Sequence, residues 1–265
     1  MPPTGPVRQP VFPTDQHRQA AETAARFFAG RDLVDSVLVT NSIARGVAVA
    51  GSDLDMNVLL AAGAGKARAD ALQGEWDVFR ATDPRLLAFE ASGPFVHLHL
   101  DVTLGQFVPA VWDDGGGPDD FEIGIGNLLR AAPLGSPGEH FLQFMQQWSP
   151  YYNEGTRIQR LQMVCAACRY DLSFVPFYSA RGLVFQAFDR LYRAFQEFLQ
   201  ALFIARRIYP IAYNKWIHEQ VAGWLGLPAL YEQLTGILAL PALEPGALND
   251  HAQRLGALLE DWAGE

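Results

Sequence analysis

The sequence predicts an α+β first half, a mixed β-sheet flanked by helices, followed by an all-α helical bundle. Two observations carry this. Short apolar runs rich in valine alternate with helical patterns over the first 135 residues or so, which suits a sheet with packed helices. From Glu139 to Trp262 nearly every stretch has helical periodicity instead. The change falls near Pro137, so domains of residues 1–135 and 136–265 are expected.

In chain order, Ala20 to Gly30 reads as a helix with Phe27 and Phe28 on one face and glycine as its stop. Val34 to Val39 and Leu54 to Leu60 read as strands, separated by a compact Asn41-Ser42-Ile43-Ala44-Arg45-Gly46 turn. Ala67 to Arg80 follows as a helix with Leu72, Trp76 and Phe79 spaced for one face. Leu86 to Glu90 and Val96 to Leu104 flank Ser92-Gly93-Pro94 and predict a hairpin. The second half predicts helices over Thr156–Tyr170, Ala180–Arg207, Tyr213–Leu225, Ala229–Leu238 and Ala247–Trp262.

The 265 residues carry 29 Asp and Glu against 20 Lys and Arg, a formal charge of -9. That balance disfavours a DNA-binding coat or a polybasic membrane anchor, since both need a cationic face. At 49% hydrophobic and 12% aromatic there is enough apolar material for a packed core, which excludes a disordered chain. No apolar run approaches the roughly 20 residues that a bilayer requires. The Pro-rich start has no hydrophobic stretch of the secretory kind, and a cytoplasmic protein is expected. Cys165 and Cys168 have no second pair or nearby histidine to complete a metal set, and read as buried helical thiols.

The chemistry concentrates in Thr40 to Met56. Asp53 and Asp55 stand two apart at the head of a strand, so both carboxylates face one side. Paired carboxylates repel unless a cation lies between them, and a hard divalent ion such as magnesium takes oxygen ligands of this type. In Val96 to Val102 the apolar Leu98, Leu100 and Val102 alternate with His97, His99 and Asp101. If that strand lies beside the first, Asp101 completes a three-carboxylate cluster able to hold two metals. The histidines leave a rival open, a His97, His99 and Asp101 transition-metal site.

The run Ser42-x-Ala44-Arg45-Gly46-x-Ala48 with Ser52-Asp53-Leu54-Asp55 resembles the signature of the DNA polymerase β-type nucleotidyltransferase superfamily. It is most similar to the small bacterial branch that includes aminoglycoside and lincosamide nucleotidyltransferases. The resemblance covers about the first 100 residues; the helical half is similar only in general type to the domains these enzymes append. It implies transfer of a nucleoside monophosphate, AMP from ATP or another NTP, to a hydroxyl of a small molecule such as an aminoglycoside. Two magnesium ions would be bound by Asp53, Asp55 and Asp101, with Asp101 also able to accept the proton of the attacking hydroxyl. Ser42 would contact the terminal phosphates.

Arg45 would touch phosphate or support the loop. Lys215, one of only two lysines, would supply a phosphate cation from the first turn of a helix after Pro210. One departure is Asn41, where the family has glycine. Asn best tolerates positive φ among non-glycine residues, but its side chain occupies space near the phosphate.

An acidic loop with Asp113, Asp114, Asp119, Asp120 and Glu122 would attract a cationic acceptor. Aromatics including Trp148, Tyr151, Tyr152, Phe174, Phe177 and Tyr178 would line a pocket or pack in the core. The same fold also admits a homodimer and protein or RNA acceptors, RNA being disfavoured by the net charge; a nucleotide-binding module that regulates a partner without chemistry is the alternative, consistent with Asn41.

Overall fold

A computed structural model describes residues 8–111, 117–240 and 242–263. The chain divides into two compact units. One holds the described residues up to Phe107 together with Ile125–Ser149; the other holds those of 108–124 and from Pro150 on.

The first unit opens with α1 (Asp15–Phe28), whose N-terminus is capped by the Thr14 hydroxyl accepting the His17 N–H. Then come β1 (Val34–Val39), the five-residue helix α2 (Asn41–Arg45), β2 (Leu54–Leu60), α3 (Lys66–Arg80), α4 (Pro84–Glu90) and β3 (Leu98–Thr103). Helix α5 (Phe121–Leu129) begins in the second unit and ends in the first, which is completed by β4 (Ala132–Pro133) and α6 (Glu139–Trp148). The sheet order is β3-β2-β1-β4; β2 and β3 are parallel, the other pairs antiparallel, so the sheet is mixed as expected. Leu54, Met56 and Val58 of β2, and Leu98 and Leu100 of β3, enter a core with Phe28, Leu72, Trp76 and Phe89. Each large side chain sealed there contributes about 2 kcal/mol from apolar burial.

The expected hairpin is absent. Leu86 to Glu90 lies in α4, because Asp83 accepts the Arg85 and Leu86 N–H groups at 2.9 and 3.2 Å and Pro84 occupies the first turn. Leu86 and Phe89, three apart, then face the core. The following strand instead lies parallel beside β2.

Helix α6 belongs to the first unit. The Asp35 carboxylate of β1 accepts the His140 and Phe141 N–H groups at 2.8 and 3.0 Å, and Ser36 Oγ accepts that of Gly138 at 2.9 Å. Two adjacent β1 residues therefore cap a helix about a hundred positions away.

The second unit contains α7 (Glu154–Ser179), α8 (Val184–Ala205), a π-helix (His218–Trp224), α9 (Pro228–Leu238) and α10 (Pro245–Ala263). Their core includes Val164, Cys168, Leu191, Phe198, Phe203, Leu234 and Leu255. Cys165 and Cys168 are buried thiols, as read from the sequence. Helix α7 runs past the expected end at Tyr170, through Pro176, and buries Val175 and Ser179.

The helix expected from Tyr213 starts only near His218. The buried Gln220 explains this, since its side chain accepts the Ile211 N–H at 2.8 Å and donates to the Ala212 and Lys215 carbonyls at 3.0 and 3.2 Å. Those bonds hold residues 211–215 as a loop. No helix among the described residues is long and apolar enough to cross a membrane.

Candidate functional site

The turn between β1 and β2 is built from backbone requirements. Asn41 takes a left-handed conformation, φ 53°, and Gly46 closes α2 at φ 75°. The tolerance of Asn for positive φ is thus used at the position where the resemblance has glycine. Ser42 is half-buried, and its carbonyl accepts the Val47 N–H at 3.0 Å. Val49 N–H donates to Ser52 Oγ at 2.9 Å, and Ser52 N–H donates to the Val49 carbonyl at 2.9 Å. The loop therefore reaches Asp53 through a tight turn.

Asp55 and Asn57 are half-buried and alternate with the buried Leu54, Met56 and Val58, as the Asp-x-Asp pattern requires. In the parallel register Asp55 lies opposite His99, and Asn57 opposite Asp101. His99 and Asp101 are exposed while Leu98 and Leu100 are buried. The two strands thus bring Asp53, Asp55 and Asp101 to one polar row, which also holds Asn57, whose Oδ1 is buried without a hydrogen-bond partner.

The acids are neighbours without yet converging. Asp53 Oδ1 accepts the His97 N–H at 2.9 Å, and Oδ2 lies 4.0 Å from His99 Nε2. Among the described residues, no group of three His, Cys, Asp or Glu side chains stands close enough to hold a metal ion. This covers the three acids and the His97, His99 and Asp101 set alike. The oxygen donors suit a hard divalent cation by type, so it is their placement and not their chemistry that falls short.

Arg45 is half-buried beside the turn. Lys215 belongs to the second unit and is exposed in the loop before the π-helix, not in a helical first turn. Trp216 beside it has φ 60° and is 43% exposed.

Two acids of the expected acidic loop, Asp119 and Glu122, are paired within the fold, while Asp120 is exposed. Glu122 is fully buried and, with Asp119, is held by Arg160 in bonds of 2.6 to 3.0 Å. Gln200 donates to both acids, and Tyr152 donates to Glu122 at 2.9 Å. Asp119 and Glu122 are therefore consumed internally and do not attract a cationic acceptor. Asp113 and Asp114 lie outside the described residues. Tyr151 and Tyr152 pack against each other and Tyr209 in the interior. Burial, above all, raises the phenol pKa of both.

Pattern reading missed His17, fully buried on α1, whose Nε2 meets the Ser52 carbonyl at 2.9 Å. A histidine three residues after a capping threonine is the local signal. A scan against protein-family models finds no match to the chain, and a search of curated proteins finds none either.

Proposed function

We propose that the chain is a magnesium-dependent nucleotidyltransferase that moves a nucleoside monophosphate, AMP from ATP, to a hydroxyl of a small molecule. One observation carries the reading. Asp53 and Asp55 enter β2 from a tight turn with left-handed residues at 41 and 46, and Asp101 stands on the adjacent parallel strand. Asp53, Asp55 and Asp101 are oxygen donors of the kind magnesium takes; drawn closer than they stand here they would hold two ions, which would supply charge neutralisation for the triphosphate and activation of the attacking oxygen. Ser42 and the backbone of the turn would orient the terminal phosphates, while Arg45 would offset their charge. Asp101, the most exposed of the acids, would accept the hydroxyl proton. Transfer of this kind depends mainly on positioning and electrostatics, which these residue types supply. The acceptor is an alcohol of the aminoglycoside type, and a cytoplasmic homodimer fits the reading.

A second reading, nucleotide binding without transfer, is favoured by the spread of the three acids and by the Asn41 side chain at the turn. Incubation with magnesium, α-labelled ATP and a panel of polyhydroxylated acceptors separates the two. Transfer of label with release of pyrophosphate, abolished in Asp53→Ala and Asp55→Ala, supports the enzyme. Nucleotide binding with no turnover across the panel supports the module.

A further inference from the structure

Asp53 is half-buried, and the residue before it, Ser52, is gripped from α1. The ring of His17 is fully buried and meets Phe89 edge-on with centroids 4.9 Å apart. The Ser52 carbonyl can only accept, so Nε2 carries the hydrogen and donates to it at 2.9 Å. Nδ1 then faces Thr14 Oγ1 at 2.7 Å, and the hydroxyl supplies its hydrogen there while accepting the His17 backbone N–H at 3.3 Å. On the far side, Asp53 Oδ1 is fixed by the His97 N–H. Thr14, His17, Ser52, Asp53 and His97 thus form an unbroken series from the N-terminus of α1 to the start of β3.

We infer that His17 is the positioning residue for Asp53: by gripping the preceding carbonyl it sets the direction in which the Asp53 carboxylate leaves the turn. A buried leucine would serve packing equally well; the two-sided hydrogen bonding is the feature that packing does not call for. The inference rests on the proposed function only for what Asp53 then binds.

The test compares the full chain with His17→Leu, which removes the donor, and His17→Gln, which keeps one. It reads the amide proton shift of His97 by NMR and the affinity for Mn2+ in the presence of ATP. His17→Leu is expected to collapse the His97 signature and weaken Mn2+ binding about tenfold or more, the usual scale for a lost support of a metal ligand. His17→Gln is expected to recover most of both, which a purely structural role would not produce. Should His17→Leu fail to fold, Thr14→Val, which frees Nδ1 and leaves the ring packed, is expected to show a partial loss of the same two signals. An unchanged His97 amide in every folded variant overturns the inference, as does a Gln variant no better than Leu. If the wild-type chain takes up no Mn2+ with ATP while the His97 signature still depends on His17, the proposed function falls and the positioning role stands.

Discussion

The acids of the first unit's sheet and those of the second unit are indistinguishable as letters and opposite in circumstance. Asp119 and Glu122 share the guanidinium of Arg160, so their charge is matched within the fold. Burial is the first effect on the Arg160 guanidinium and works to lower its pKa, but the bonds to Asp119 and Glu122 outweigh it and leave the pKa raised. Asp171, also buried, takes Arg190 on one oxygen and has Arg193 3.7 Å from the other. Glu197 is as buried as Glu122, yet among the described residues no guanidinium hydrogen-bonds to it, and the Gly117 backbone N–H is what meets it. Burial, and then the neighbouring Asp171 carboxylate, raise its pKa to about 8. By contrast, Asp53 and Asp101 remain in reach of solvent on a sheet face, and a backbone N–H and a histidine at 4.0 Å are what meet Asp53. Acids neutralised inside a core stabilise or strain the fold. Acids grouped on an accessible face are the ones available for a ligand.

The largest effect should follow from removing the cation of the buried cluster. Arg160→Met leaves Asp119 and Glu122 uncompensated, and we expect a loss of about 3–5 kcal/mol in denaturant unfolding. A shift within experimental scatter would show that the cluster is not neutralised as described.

Glu197 gives the next test, through pH. The folded state keeps its proton up to about pH 8, whereas the unfolded chain releases it near the usual 4.5. Between those values the folded state binds one more proton, so stability falls as pH rises, by at most about 1.4 kcal/mol per unit, and levels off above. Glu197→Gln should flatten that decline and be the more stable protein at pH 8. Parallel wild-type and variant profiles from thermal melting would refute it.

Asp83 uses its charge in a third way, at the N-terminus of α4, and Asp83→Ala should cost about 1 kcal/mol by the same unfolding measurement. Smallest of all, Asp101→Asn should change stability by no more than about 0.5 kcal/mol, because an exposed carboxylate has little to lose. A large change there would assign Asp101 to the fold and remove it from the site.

These environments explain what the sequence could and could not reveal. The β2 and β3 alternation was legible because a period of two is local, and the positive φ of Asn41 was legible because it is a property of one residue. The hairpin reading failed because Ser92-Gly93-Pro94 outweighed the Asp83-Pro84 helix start, a signal that was equally present. The fates of Asp119, Glu122 and Asp35 were not legible, because their partners stand about 40, 40 and 105 positions away. For Lys215, a side chain five residues on, Gln220, keeps the segment out of the helix that periodicity suggested.

On the proposed function, the polar row of β2 and β3, and not the buried acids, would receive a metal with a nucleotide. Calorimetric titration of Mg2+ with ATP into the wild-type chain and into the Asp53→Asn, Asp55→Asn double variant tests it most directly. Binding that the double variant loses while its melting temperature holds is the expected result. Equal binding by both proteins, or none by the wild type, would contradict it.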